Sequence, residues 1–381
     1  MNDPISDRGR YVNEAVDMIQ TGHKSILVMG MHRSGTSAMA GALVKAGLCP
    51  GDESGLYPAD ENNQKGFYEQ RSLVGINESI LVRELLQLFP DLHEYGCSKD
   101  PEDLGGLGWL AGAWADNLVQ PMADELIQSG MKKFLQSLWS DNPDHTAYVI
   151  KDPRMSLTLP AWETCLKDPL VLIMLRHPAA VARSLWKRDR IHPGYAYHLW
   201  AGYTGAALKN TRHLRRYLID YDQFISKPEM SIQAIFSWLV SHGVDLTAQG
   251  LEDALKFASP ELRHHQPDAN EGVPSAILMM YQNLQRHALQ GVDVDFPVKS
   301  TVTEDCRLQT LLYLIARRNL RDTRSKLEPR LLEAERVHQR ILKHPVAGTV
   351  VRMLAKIKDD STFGHLDYYQ LPENTDTYNE K

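Results

Sequence analysis

Apolar positions recur along this chain in two alternating patterns. Short unbroken runs at Ser25 to Met29, Ala147 to Ile150 and Leu170 to Leu175 read as strands buried on both faces. Arg216 to Asp220 resembles a further strand. Between these runs, apolar residues return at helical spacing. One such stretch is Thr36 to Ala46, closed by Gly47, and the next is Glu69 to Leu88, carrying Leu73, Ile76, Ile80, Leu81 and Leu85. Others lie at about 116–138, at 157–167 and from Pro178 to Asp189, with two more at about 228–241 and 247–257. A short helix at the start (Val12, Ala15, Val16, Ile19) stops at Thr21-Gly22, whereas residues 90–115 show no clear period. Strands alternating with helices of ten or more residues predict an α/β fold, a central parallel sheet flanked by helices on both faces.

Composition agrees with a folded chain: 43% of the 381 residues are hydrophobic and 24% charged, so disorder as the dominant state is excluded. No stretch approaches the roughly 20 unbroken apolar residues of a bilayer-spanning helix, and MNDPISDRGR lacks the apolar core of a secretory signal. Cys49, Cys97, Cys165 and Cys306 lie far apart without a CxxC pair, which suits neither a disulfide scaffold nor a zinc site. The expected compartment is the cytoplasm. Fifteen histidines form no HExxH, and no metal is expected.

Charge is unevenly spread. The net charge is −6, yet Arg307 to Lys358 holds 13 Arg or Lys against four Asp or Glu. Leu308, Leu311, Leu312 and Ile315, then Leu327, Leu331 and Leu332, give this segment helical spacing. It is read as a basic helical C-terminal extension over about 301–358, followed by a flexible polar tail over 359–381.

The most informative stretch is Gly30-Met31-His32-Arg33-Ser34-Gly35-Thr36-Ser37, which follows a strand and opens a helix. In that setting backbone N–H groups and the positive helix end converge on an anion. The spacing copies the phosphate-binding pattern GxxxxGK[ST], except that Thr36 stands where the lysine belongs. A kinase or NTPase uses that lysine against β- and γ-phosphate charge. Its absence favours a single phosphate, with Arg33 supplying a cation from within the loop.

MHRSGTSAMAGAL resembles the phosphosulfate loop of the sulfotransferases that use 3′-phosphoadenosine 5′-phosphosulfate (PAPS). The resemblance implies a P-loop-NTPase-like three-layer fold. It also implies that Arg33, Ser34, Gly35, Thr36 and Ser37 hold the 5′-phosphosulfate. A second cluster agrees with it: Arg176-His177-Pro178 ends a strand, and Ser184 follows eight residues after Arg176, as in the family pattern R-x-P-x-x-x-x-x-S that binds the 3′-phosphate. The rival reading is a P-loop nucleotide kinase or a nucleotide-binding module without sulfuryl transfer.

The catalytic candidates come from the same resemblance. Gly66-Phe67-Tyr68-Glu69 is similar to the GF(F/Y)E element of Golgi-type and bacterial members, which implies Glu69 as catalytic base, with His32 as runner-up. Lys151-Asp152-Pro153 resembles a segment whose lysine contacts the transferred group, which implies Lys151 as a stabiliser beside Arg33. Arg154 meets the acceptor or closes a structural ion pair. Trp109, Trp114 and Trp139 stack on an acceptor or staple a subsidiary core. The glycine-rich KGxxGxWK loop of the small-molecule cytosolic members is absent, which argues against the hormone- and phenol-sulfating branch.

The domain expectation is therefore a sulfotransferase domain over 1–300. Its nucleotide-binding core covers about 24–260, with an acceptor-side insertion at about 90–145. The acceptor is expected to be a carbohydrate, a glycolipid or a small alcohol. The basic extension is read in three ways. It packs by its leucine face within the domain or in a homodimer, or it lies on the inner membrane face through Val346 to Lys358. Nucleic-acid contact, the third, is disfavoured because the rest of the chain is acidic and no binding motif accompanies the charge.

Overall fold

Side chains alternate across every buried strand, and this alternation defines the layers. In β1 (Lys24–Gly30), Ile26 and Val28 enter one apolar cluster while Leu27 and Met29 enter another. β2 (Ala147–Lys151) divides in the same way, with Ala147 and Val149 on one side and Tyr148 and Ile150 on the other. β3 (Leu170–Leu175) sends Leu170, Leu172 and Met174 one way and Val171, Ile173 and Leu175 the other. A strand with both faces apolar must be covered twice, so two helical layers follow from the strand sequences. The computed structural model describes residues 23–60, 66–88, 108–115, 124–258 and 272–290, all within the unit Met1–Ile315.

With β4 (Arg216–Asp220), the four strands form one parallel sheet in the order β2-β1-β3-β4. Val28 of β1 lies opposite Lys151 on one side and Leu172 on the other, and Leu175 lies opposite Asp220. The chain leaves β1 outward to β2, then crosses back to β3 on the far side of β1. Connections diverging from neighbouring strands leave a crevice at their carboxyl ends, where open α/β sheets receive ligands.

One layer contains α1 (Thr36–Lys45), α7 (Tyr221–Ser226), α8 (Pro228–Ser241) and α9 (Ala248–Phe257). The other holds α2 (Arg71–Leu88), α3 (Glu125–Ser140), α4 (Met155–Trp162), α5 (Pro178–Asp189), α6 (Pro193–Asn210) and α10 (Ser275–Gln290). Several helix starts are set by side chains accepting a bond from a first-turn amide. Asp124 caps α3 through Ile127 N (2.8 Å), Asp220 caps α7 through Gln223 N (2.8 Å) and Thr247 caps α9 through Gly250 N (3.0 Å). At α5, Pro178 occupies the first turn and His177 Nδ1 accepts from Ala179 N at 3.2 Å.

The three-layer α/β expectation holds, with differences of detail. Of the helix expected over about 116–138, α3 supplies Glu125–Ser140 while residues 116–123 lie outside the described residues, and the helix expected over 157–167 is Met155–Trp162. The aperiodic region contains a 3₁₀ segment, Gly108–Trp114, with all seven residues buried. α6 and α10 were not expected. The opening helix, the basic extension and the tail lie outside the described residues. Among the described residues, no helix is long and apolar enough to cross a membrane.

Candidate active site

The glycine loop joins β1 to α1 as the sequence pattern requires. Arg33 and Gly35 both take left-handed backbone conformations, with φ of 69° and 91°. Gly35 has no alternative. A Cβ there would stand 2.1 Å from Cδ2 of Tyr221, so the loop passes directly against that ring. The N-cap residue is Gly35 itself, so no capping side chain bonds the first amides of α1. A helix end of this kind presents its donors to an anion.

A lysine reaches this loop after all, from the neighbouring strand. Lys151, at the carboxyl end of β2, places Nζ 3.0 Å from Ser37 Oγ and pairs with the Glu69 carboxylate. The Lys151 side chain is only 2% exposed, and burial pulls its ammonium below the usual lysine range, against the raising influence of Glu69. Stripping such an ammonium of its partner costs about 3–5 kcal/mol, so the pair is a fixed part of the site. Glu69 is held by a short antiparallel bridge, with Tyr57 N donating to Glu69 O at 2.9 Å and Leu56 opposite Gln70. Its carboxylate is turned to Lys151, and α2 begins two residues later.

The two expected anion clusters adjoin. Arg33 Nε donates to Ser184 Oγ at 2.7 Å, and Arg176 donates to the Arg33 carbonyl at 2.8 Å. The Arg176 guanidinium also lies over the Tyr221 ring, 4.5 Å from its centroid. This contact is worth about 0.5–2 kcal/mol, and the same ring closes against Gly35. Burial first, then the charges of Arg188 and Arg176, draw Arg33 down to about 10. Cations crowded this closely call for anionic company. Among the described residues, Ser34 Oγ, Arg176 Nε and His32 Nε2 are all buried without a hydrogen-bond partner. A phosphorylated ligand would satisfy such groups, so the residues fit the expected donor.

His32 packs against Trp109 (ring centroids 4.9 Å) and Tyr203 (5.5 Å). Burial, reinforced by Arg154, Arg188, Lys151 and Arg33, holds it well below the ordinary histidine range, so the ring is neutral at pH 7.

Arg154 closes a buried ion network. Its Nε meets Glu78 Oε1 at 2.5 Å and its NH1 meets Asp152 Oδ1 at 3.0 Å, while Glu78 also accepts from Gly108 N. Asn77 is the residue that sequence reasoning missed. It is fully buried, donates to Asp152 at 2.9 Å, and accepts from Thr158 Oγ1 and Trp162 Nε1 at 2.8 Å each. Its only sequence signal is a polar residue on the apolar stripe of α2. Trp109, Trp114 and Trp139 are buried in the large apolar cluster, which matches the core reading of these rings. Part of the expected insertion and residues 61–65 lie outside the described residues.

No protein-family model matches the chain, and no curated protein matches it. Solved structures do resemble it. Sulfotransferase STF9 from Mycobacterium avium is 15% identical, with a TM-score of 0.42, over 76% of this chain and 83% of that one. Sulfotransferase STF1 from Mycobacterium tuberculosis H37Rv is 14% identical, with a TM-score of 0.39, over 74% and 82%. The sulfotransferase domain from the curacin biosynthetic pathway is 15% identical, with a TM-score of 0.32, over 77% and 98%.

Proposed function

We propose that the protein transfers a sulfuryl group from PAPS to an acceptor hydroxyl or amine, releasing adenosine 3′,5′-bisphosphate. The observation that carries this reading is Lys151. The loop lacks its own lysine, and an ammonium from the next strand lies between Ser37 of the loop and Glu69. Base and phosphate cradle therefore flank one buried cation.

In this reading Ser34 to Ser37 and Arg33 hold the 5′-phosphosulfate, and Arg176 with Ser184 holds the 3′-phosphate. The acceptor oxygen attacks sulfur as the bond from sulfur to the bridging phosphate oxygen breaks. Glu69 takes the acceptor proton. Lys151 and Arg33 stabilise charge on the departing phosphate and on the sulfuryl oxygens, through preorganised electrostatics in a dry site. Ser184 keeps Arg33 in place across the mouth of the loop until the ligand arrives. The acceptor we favour is a carbohydrate or glycolipid, because the Gly66-to-Glu69 element resembles that of carbohydrate-directed members; a small alcohol is the next choice.

Two measurements test this. Calorimetry is expected to show adenosine 3′,5′-bisphosphate binding equally with and without Mg²⁺; tight Mg²⁺-dependent ATP binding would reject the reading in favour of a kinase. A labelled-donor assay against extracted glycans, lipids and metabolites is expected to show transfer. In that assay Glu69→Gln should lower turnover on the order of 100-fold or more, with bisphosphate affinity largely kept. Equal turnover by the variant would remove Glu69 from the chemistry.

A further inference from the structure

Arg176 is supported on three sides, and one residue of α10 touches two of the supports and reaches the third through Asp220. The Tyr281 ring meets His177, the next residue in the chain, at 4.8 Å between centroids. It also meets Trp200 at 6.3 Å, and the indole N–H of Trp200 donates to the Arg176 carbonyl at 2.9 Å. The Tyr281 hydroxyl reaches Asp220 Oδ2 at 3.4 Å, and Gln285 donates to the same oxygen at 3.2 Å and to the Tyr281 hydroxyl at 2.8 Å. Asp220 caps α7, whose first residue is Tyr221, the ring beneath the Arg176 guanidinium. Tyr281 is 4% exposed, and burial together with Asp220 holds its phenol far above the usual tyrosine range, so it stays a neutral donor.

We infer that Tyr281 is a positioning residue for Arg176, and that α10 thereby sets the preference for a nucleotide bearing the outer 3′-phosphate. This deepens the sulfuryl-transfer reading and rests on it. The ring, directly and through Trp200, fixes the backbone that follows Arg176, and the hydroxyl with Gln285 fixes the helix that carries Tyr221. Arg176 Nε, buried and without a hydrogen-bond partner among the described residues, is then held ready for a ligand oxygen. A guanidinium displaced by about 1 Å loses the alignment on which charge-assisted bonds depend.

The test is the affinity ratio between adenosine 3′,5′-bisphosphate and adenosine 5′-monophosphate, measured by calorimetry on the full chain. Tyr281→Ala is expected to weaken the bisphosphate about tenfold or more, equivalent to about 1.4 kcal/mol. The monophosphate should stay within about twofold, because its contacts lie in the glycine loop. Should Tyr281→Ala fail to fold by circular dichroism, the pair Tyr281→Phe with Gln285→Ala decides. It keeps the ring, strips both side-chain donors from Asp220, and should narrow the ratio about threefold in the same direction. A folded variant that weakens both nucleotides equally, or neither, overturns the positioning role. A wild-type protein with no preference for the bisphosphate overturns the sulfuryl-transfer reading itself, which is a different result.

Discussion

At position 32 a histidine stands among Arg33, Lys151, Arg154 and Arg188, and taking up a proton would add a fifth positive charge. This weakens its candidacy as the base and gives it a measurable signature. The unfolded chain protonates this residue near pH 6.5, whereas the folded chain does so only well below that. Between the two values the unfolded state binds the extra proton, so stability falls as pH drops through 6.5, by at most about 1.4 kcal/mol per pH unit. Urea unfolding at pH 5 to 8 is expected to show a shallower acid slope for His32→Gln than for the wild type. Identical slopes would mean that the ring ionises normally. Gly35 is a second sensitive position: Gly35→Ala drives a methyl into Tyr221, and so disturbs the ring under Arg176 as well as the loop. The expected outcome is a loss of more than about 1–3 kcal/mol in thermal unfolding, together with loss of nucleotide binding.

Among the secondary-structure elements, the least legible one carries much of the packing. α6 buries Tyr195, Ala196, Leu199, Trp200, Tyr203 and Ala207, so almost no solvent face remains to give it an amphipathic period. For the same reason the wholly buried segment Gly108–Trp114 has no readable pattern. The two meet where Gly202 faces Gly112: a Cβ on Gly202 would lie 1.8 Å from the Gly112 carbonyl oxygen. Gly202→Ala must therefore separate α6 from the segment carrying Trp109, the ring against His32. Chemical denaturation should show a loss of about 2 kcal/mol or more; an unchanged midpoint would mean that the contact is loose. Strands and the glycine loop were legible because continuous apolar runs, glycines and hydroxyls are local signals. The approach of Lys151 to Ser37 was not, since 114 positions separate the two and only the pairing of β1 with β2 brings them together.

At the scale of the whole molecule, the two proposed anion clusters follow different strands, β1 and β3, and are joined by bonds from Arg33 and Arg176. A ligand spanning both should stabilise the fold by mass action, about 2.7 kcal/mol at a concentration 100 times its dissociation constant. Differential scanning fluorimetry with adenosine 3′,5′-bisphosphate is expected to raise the melting temperature by several degrees, and adenosine alone to leave it unchanged. Equal shifts would mean that the phosphates contribute nothing.

Among the described residues β2 is one of the two edge strands of the sheet, flanked on its far side by a single bridge from Cys49 to Tyr148. The ammonium that lies against Ser37 of the loop therefore rides on an edge of the sheet and not on its centre. Warming should fray that margin before the centre melts, and catalytic competence would then fade at temperatures where circular dichroism still reports an intact protein.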